Sequence, residues 1–196
     1  MRKNMSNEIL LECKSMAIGY TYALNRKLDF VLNQKKILLI KGKNGSGKST
    51  LIKTLLGKMS PITGSYKWKT GDETISYLPQ ITNPNSSFSY TINEILDLYS
   101  TKKELRRSLP QSLQSKKWIN CSGGEKQKTM LVTRLTPETK VLILDEPFNH
   151  LDDKSVREIT ELLIELVSQK GLSIILVSHM SVPIPKELLK TVELTS

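Results

Sequence analysis

Residues 42–49 have the types and the spacing of a loop that binds phosphate. They satisfy the pattern G-x-x-x-x-G-K-[ST] in full. The glycines allow the backbone to curl so that its N–H groups point at phosphate oxygens, and the helix that follows offers its positive dipole end to the same anion. Lys48 is placed to reach the β- and γ-phosphates of a nucleoside triphosphate, and the Ser49 hydroxyl to coordinate Mg²⁺. The expected nucleotide-binding residues of this phosphate loop and its first helical turn are Gly42, Asn44, Gly45, Ser46, Gly47, Lys48, Ser49 and Thr50.

An apolar run from Val141 to Leu144 ends in two carboxylates. Asp145, at the end of the predicted strand, is placed to hold Mg²⁺, and Glu146 is placed to polarise an attacking water as general base. Such a run is a weak signal by itself, because strands often end at charged turns. Roughly a hundred residues after a phosphate loop, it is the expected second half of a nucleoside triphosphatase.

A second candidate anion site lies at Ser122-Gly123-Gly124, which opens a predicted helix. Backbone N–H groups, a hydroxyl and a helix dipole all favour an anion at this position. One nucleotide does not need two such sites in a single chain. A resemblance to a known family explains the second one.

With the phosphate loop before it and Asp145-Glu146 after it, Ser122-Gly123-Gly124 resembles the signature of the ATP-binding cassette (ABC) ATPases. The resemblance covers nearly the whole chain, and the motifs occur in the family's order. It implies that the signature of one subunit caps the γ-phosphate held by the other, so that two MgATP are buried in a head-to-tail dimer.

The resemblance implies roles for further residues. Gln80 matches the glutamine that contacts Mg²⁺ and water and senses the partner, and 149–152 match the D-loop that crosses the dimer interface. His179 matches the switch histidine that hydrogen-bonds the γ-phosphate, and Tyr20 the aromatic residue that stacks on adenine, with Tyr22 as the rival choice. The expected catalytic residues are therefore Lys48, Gln80, Glu146 and His179, and the expected Mg²⁺ ligands are Ser49, Gln80 and Asp145.

The chain departs from the commonest family pattern at several places. Cys121 stands where leucine usually precedes Ser-Gly-Gly, and Glu125 where glutamine is common. We expect Cys121 to be a small buried hydrophobe rather than a redox centre. The segment 80–122 is short for the family's helical subdomain, so a helix there is expected to be reduced or missing. Seventeen residues follow His179, which predicts abbreviated closing strands and no C-terminal regulatory domain.

The elements that must position these residues alternate between strand and helix. Apolar runs predict strands at Ile37–Lys41, Thr74–Leu78, Val141–Leu144 and Ser173–Val177. Helical spacing predicts helices at Ser49–Leu56, about Ile92–Arg107, Gly124–Leu135 and Lys154–Ser168, the first ended by Gly57. This alternation is typical of an α/β protein with a mostly parallel sheet flanked by helices.

Together with the resemblance, the pattern implies a P-loop NTPase core, an N-terminal antiparallel β subdomain and a short helical insert bearing the signature. We expect a single nucleotide-binding domain over 1–196, with the catalytic core at about 1–82 and 123–196 and the small helical subdomain at about 83–122.

Composition excludes collagen-like, mucin-like and fully disordered chains, since 24% of the 196 residues are charged and 38% hydrophobic. Two cysteines are too few for a disulfide framework, and no apolar run is as long as that of a signal peptide or a membrane span. Both observations predict a cytoplasmic protein. The net charge of +10 favours a polyanionic partner without choosing among nucleotide, nucleic acid and anionic lipid.

The leading functional hypothesis is the ATP-hydrolysing subunit of an ABC membrane transporter, acting on the cytoplasmic face with transmembrane subunits on a separate chain and a second nucleotide-binding subunit. Family analogy favours an exporter of peptides, lipids or toxic compounds. The alternative is a translation-associated ABC ATPase that binds the ribosome or RNA through the basic insert. That class carries two cassettes and a long linker, so nucleic acid is the less favoured partner.

Overall fold

Eight strands and six α-helices form the part of the chain that the computed structural model describes, residues 8–80 and 89–195. The strands are β1 Ile9–Ala17, β2 Leu28–Asn33, β3 Ile37–Lys41, β4 Thr63–Trp68, β5 Ile75–Leu78, β6 Val141–Asp145, β7 Ser173–Val177 and β8 Leu189–Glu193. The helices are α1 Lys48–Leu55, α2 Ile92–Leu98, α3 Lys103–Arg106, α4 Gln111–Gln114, α5 Gly123–Thr133 and α6 Asp153–Ser168. Short 3₁₀ turns lie at Asp72–Thr74 and Trp118–Asn120.

Five strands form a parallel sheet in the order β5-β6-β7-β3-β8. Its central strands are apolar except for one polar residue at an end of each, because both faces of the sheet are covered. Side chains alternate between the faces, so Leu39, Leu142 and Leu176 pack towards α5 and α6, whereas Ile143 and Val177 pack towards α1. The predicted α/β fold with a parallel sheet is confirmed.

A three-stranded antiparallel sheet of order β2-β1-β4 lies on the α1 side of the parallel sheet. Its buried side chains, among them Leu11, Met16 and Phe30, share one hydrophobic cluster with α1 and with alternate residues of β3, β6 and β7. The predicted N-terminal antiparallel sheet is therefore confirmed, and it holds the phosphate-loop helix against the central strands.

The helical insert differs from the expectation of one long helix over 92–107. Two short helices, α2 and α3, occupy this range and are separated at Ser100, whose φ is +52°. The N–H of Thr101 donates to Leu96 O (2.9 Å), which ends α2, and the Arg106 side chain then donates to Thr101 O (2.7 Å). Ser100 adopts a left-handed backbone conformation, and the hydrogen bond from Thr101 N closes the end of α2. For this reason the segment with apolar periodicity does not form one continuous helix.

The other predicted elements are found within one or two residues of their expected ends. Gly57 has φ +71° just beyond α1, as a residue ending a helix requires. Strand β5 begins one residue late because Thr74 belongs to a 3₁₀ turn. After His179 a five-residue strand, β8, pairs in parallel with β3. Among the described helices, none has the length and apolar character needed to cross a membrane.

Candidate functional site

The phosphate loop leaves the carboxyl end of β3 and leads into α1. Gly45 and Gly47 have φ values of +84° and +93°, which side chains disfavour, and a Cβ on Gly47 would lie 3.3 Å from Ile18. Backbone conformation thus favours glycine at both positions, and close packing adds to it only at Gly47. The loop opens on a cleft of about 380 Å³, here called the nucleotide cleft, lined by Leu24, Asn44, Gly45, Gly47, Lys48, Ser49, Thr50, Gln80, Asp145, Glu146 and Asn149.

Residues distant in sequence meet in this cleft because the parallel strands end at one edge of the sheet. Gln80 follows β5, Asp145 ends β6, and His179 follows β7. Ligand sites of open α/β sheets lie outside the carboxyl ends of their strands. The structure therefore brings together most of the predicted catalytic and metal-binding residues.

Two predicted loop residues, Gly42 and Ser46, lie on the reverse side of the loop. They line a different cavity, of about 470 Å³, beside Leu194. A Cβ on Gly42 would collide with the Ser46 hydroxyl and lie 3.2 Å from Leu194. Gly42 is thus needed for close packing behind the loop.

Lys48, Glu146 and His179 form a continuous polar chain. The Lys48 amine donates to Gly42 O (2.8 Å) and Lys43 O (3.0 Å) and lies 3.2 Å from Glu146 Oε1. The other carboxylate oxygen, Glu146 Oε2, is 3.0 Å from Nδ1 of His179. The two carbonyls use two of the three ammonium hydrogens, and Glu146 Oε1 is attracted by charge without accepting a hydrogen bond. The third hydrogen is therefore available to a phosphate oxygen.

Glu146 is held at this position by its backbone. Its N–H donates to Val177 O (2.9 Å), and its φ of +49° is unusual for a residue with a side chain. Its carboxylate is only 7% exposed. The carboxylate is consequently fixed between a buried lysine and a half-exposed histidine, as a positioned proton acceptor would be.

Asp145 lies next to Glu146 in a buried and poorly neutralised position. Burial, and then the neighbouring charge of Glu146, raise the pKa of the Asp145 carboxyl above its usual value. The Tyr77 hydroxyl donates to Asp145 Oδ2 at 3.4 Å, and burial and Asp145 raise the pKa of Tyr77 to about 12. Asp145, the Ser49 hydroxyl and the Gln80 amide supply the hard oxygen donors that Mg²⁺ prefers, so the residues present fit this ion.

The segment after β1 lies beside the cleft. Gly19 and Ala23 form an isolated β-bridge, and Leu24 packs against Gly47 and lines the cleft. Tyr20 and Tyr22 are 67% and 82% exposed. Both rings are thus free of the protein core. Sequence reasoning missed Leu24, and nothing but its position near the tyrosines could have indicated it.

The signature segment, Ser122-Gly123-Gly124, does not line the nucleotide cleft of its own chain. Ser122 caps α5 in a separate groove of about 540 Å³, here called the signature groove, whose lining includes Ser122, Glu125, Asp152 and Ser155. A Cβ on Gly124 would collide with the Ser155 side chain, and one on Gly123 would lie 3.3 Å from Leu151. Both glycines thus allow the start of α5 to approach the start of α6.

The predicted D-loop connects the two places. Asn149 lines the nucleotide cleft, whereas Asp152 lines the signature groove and caps α6 through a hydrogen bond from Ser155 N (2.8 Å). That bond is the main reason why the pKa of Asp152 is lowered. His150 between them has φ +62°. Sequence reasoning expected this segment at an interface but did not anticipate that it contributes to both sites.

Cys121 is 7% exposed, and burial raises the pKa of its thiol. The expectation of a buried hydrophobe is confirmed. A raised pKa disfavours the reactive thiolate.

A glycine loop between a buried strand and a helix, with an acidic residue ending a neighbouring strand, defines a phosphate-loop nucleotide-binding protein. Comparison with known sequences is consistent with this class. The family described as ABC transporter matches residues 25–149. The chain belongs to this family.

Named relatives agree with the match. The zinc import ATP-binding protein ZnuC of Acinetobacter baylyi is 37% identical over 79% of the chain, which spans 61% of that protein's length. ZnuC of Buchnera aphidicola is 30% identical over 87% of the chain and 74% of its own length. A solved structure of a metal-chelate type ABC transporter in an inward-facing conformation has a TM-score of 0.78 and 26% identity, covering 95% of this chain and 80% of that one.

Proposed function

We propose that this chain is the ATP-hydrolysing subunit of an ABC membrane transporter. The observation that carries the proposal is the contact of the buried Lys48–Glu146 pair with the half-exposed His179, beside Asp145 in the nucleotide cleft. It combines a phosphate-binding amine, a fixed proton acceptor and an acid suited to a divalent cation. A purely structural ion pair does not need a glycine loop opening on it.

The charged and polar residues in and beside the cleft have distinct roles in this proposal. The loop N–H groups and Lys48 bind the phosphates, while Ser49, Gln80 and Asp145 hold Mg²⁺. Bound Mg²⁺ supplies positive charge that offsets that of the triphosphate. Glu146 accepts a proton from the water that attacks the γ-phosphate, and His179 orients the Glu146 carboxylate and contacts the γ-phosphate. Tyr20 stacks on the adenine.

The signature segment completes the site of a second nucleotide-binding subunit. Ser122 lines the signature groove, and neither Ser122 nor Gly124 lines the cleft of its own chain, which supports a composite site between two chains. We propose that this second subunit is another copy of the same chain. Closure on two MgATP excludes water and strengthens the contacts to the γ-phosphate, and hydrolysis reopens the dimer.

Import is favoured over the expected export. Both relatives above are named as zinc import proteins, and the similar solved structure as a metal-chelate type transporter. The sequence-based preference for an exporter of peptides, lipids or toxic compounds has no support among them. We therefore propose that the chain binds transmembrane subunits at the cytoplasmic face and powers their uptake of a metal species.

The basic insert gives less support to ribosome or RNA binding. Of its charged side chains, Arg106 pairs with Asp97 (2.7 Å) and Lys116 with Glu125 (2.7 Å) within the chain. Side chains paired in this way are less available to phosphate groups of RNA.

We propose that residues 1–196 form a single nucleotide-binding domain, with the insert as its helical part.

The Glu146→Gln variant tests the proposal, because it removes the proton acceptor and leaves the rest of the cleft. The tagged variant is expressed in cells, cross-linked with MgATP present, and the co-purifying proteins are identified. A polytopic membrane protein is expected. Vesicles that hold this membrane protein with the unsubstituted chain should then take up zinc only with ATP, and vesicles with Glu146→Gln in its place should not. Recovery of ribosomal proteins and rRNA would instead establish the alternative function.

A further inference from the structure

The signature groove contains a carboxylate at a position where an anion is expected to bind. Glu125 is the third residue of α5, and its Oε2 accepts a hydrogen bond from Ser122 N (2.7 Å). Glu125 N in turn donates to Ser122 Oγ (3.2 Å), which completes a capping box. The cap fixes the helix start, but its negative charge opposes the approach of a phosphate to the same N–H groups.

Lys116 of the insert compensates this charge. Its Nζ lies 2.7 Å from Glu125 Oε2, the oxygen that also accepts from Ser122 N. Burial alone would raise the pKa of the Glu125 carboxyl, but the hydrogen bonds from Lys116 and Ser122 outweigh burial and lower it. The pair is partly exposed, with side-chain exposures of 37% and 28%. It lies in the signature groove rather than on an outer face.

The backbone of Lys116 is tied to the beginning of the insert. Its carbonyl accepts from Ile92 N (2.9 Å), Trp118 N donates to Tyr90 O (2.8 Å), and Thr91 and Lys117 form an isolated β-bridge. Lys116 thus reaches Glu125 from a fixed backbone. Lys116 contacts the first residue of α2 through its carbonyl and the third residue of α5 through its side chain.

We propose that Lys116 is a positioning residue for the signature: it neutralises Glu125 so that the start of α5 accepts the γ-phosphate held by a second copy of the chain. This inference rests on the proposed function. The charge pair matters because a lone carboxylate at this place would repel the triphosphate. A glutamine at 125 keeps an oxygen for Ser122 N without the charge and makes the lysine unnecessary.

The test is a double-mutant cycle in the Glu146→Gln background. Dimerisation driven by MgATP is followed by sedimentation for the parent, Lys116→Met, Lys116→Arg, Glu125→Gln and the Lys116→Met/Glu125→Gln pair. Lys116→Met should raise the ATP concentration at half-dimerisation by roughly five- to tenfold. Lys116→Arg should dimerise like the parent, because arginine keeps the positive charge at position 116. The double variant should also dimerise like the parent, because it has no carboxylate at position 125 to be neutralised.

Two further measurements separate positioning from a purely structural role. Binding of a fluorescent ATP analogue at a protein concentration too low for dimers should be the same in Lys116→Met and the parent, because Lys116 does not line the nucleotide cleft. The melting temperatures of the variants are compared with that of the parent, and a lower value identifies a variant whose fold is destabilised. Lys116→Met dimerising like the parent, or a double variant as impaired as Lys116→Met, would overturn the proposal. A parent that never dimerises with MgATP would overturn the proposed function and this inference together.

Discussion

The nucleotide cleft and the signature groove hold their charged side chains in different ways. In the cleft, Lys48 and Glu146 are each 7% exposed; Lys48 is fixed at the start of α1, and Glu146 directly after the central strand β6. In the groove, Lys116 and Glu125 are 37% and 28% exposed and lie on the insert and on α5. A sheet edge gives a rigid arrangement suited to chemistry, whereas contacts between an insert and helix starts can shift when another chain binds.

The second difference is electrostatic. Asp145 and Glu146 form an adjacent acidic pair whose repulsion is only partly offset, so the cleft stores unfavourable charge. In the groove, Glu125 is paired with Lys116 and Glu158 with Lys128 (2.6 Å), while Asp152 accepts hydrogen bonds from Ser155. The comparison indicates that the acidic pair of the cleft is suited to binding a cation. The acids of the groove, in contrast, are already compensated by contacts within the chain. The variants below would break or refine that distinction.

The largest effect is expected for Glu146→Gln. Loss of the proton acceptor should reduce the hydrolysis rate by roughly 10²- to 10⁴-fold while ATP still binds. Phosphate release and nucleotide binding are measured on the same preparation, with Glu161→Gln, which removes an exposed carboxylate of α6 outside both the cleft and the groove, as matched control. Hydrolysis at the parent rate would remove Glu146 from its proposed role.

Lys48→Ala should weaken ATP binding by roughly 10²-fold, because it deletes the amine that is already held inside the phosphate loop. Titration with a fluorescent analogue measures the affinity. Lys53→Ala removes an exposed lysine of α1 and serves as control for the loss of charge. Equal affinities for the two variants would contradict the assignment of the cleft as the phosphate site.

Gly124→Ala should lower the free energy of unfolding by about 1–3 kcal/mol, since its Cβ would collide with the Ser155 side chain. Chemical denaturation measures the loss. The Gly124→Ala/Ser155→Gly pair should recover much of it, because the second change removes the atoms in collision. A double variant no more stable than the single one would show that the two helix starts do not depend on this contact.

The smallest effect concerns pH. The pKa of Asp145 is raised in the folded protein, so ionisation favours the unfolded state above the folded pKa, and this penalty disappears below the unfolded value. Asp145→Asn should therefore stabilise the nucleotide-free protein near pH 7 by on the order of 1 kcal/mol, and the gain should disappear below the unfolded-state pKa, by about pH 3. Exposed Asp72→Asn is the control. A gain independent of pH would contradict the electrostatic explanation.

The sequence predicted the elements of the cleft better than those of the groove. Strands such as Ser173–Val177 were predictable because apolar runs between turn residues are buried on both faces. The phosphate loop and the carboxylates after Val141–Leu144 followed from their chemistry and spacing. Gln80, by contrast, was assigned through the family resemblance alone.

What the sequence could not predict depends on tertiary contacts. The break at Ser100 requires a left-handed residue that periodicity does not indicate. The contacts of Leu24 with Gly47, and of Lys116 with Glu125, join segments whose relative placement only the fold determines. The reversed position of Ser46 likewise reflects packing behind the loop.

The central claim is that one chain supplies the phosphate loop and another the signature. The most direct test mixes two variants: Ser122→Arg, which has an intact cleft and a blocked signature, and Glu146→Gln, which has an intact signature and an inactive cleft. In the mixed dimer, one complete site is formed from the two defective chains. The account predicts ATP hydrolysis well above the sum of the separate rates, and a mixture no faster than that sum would contradict it.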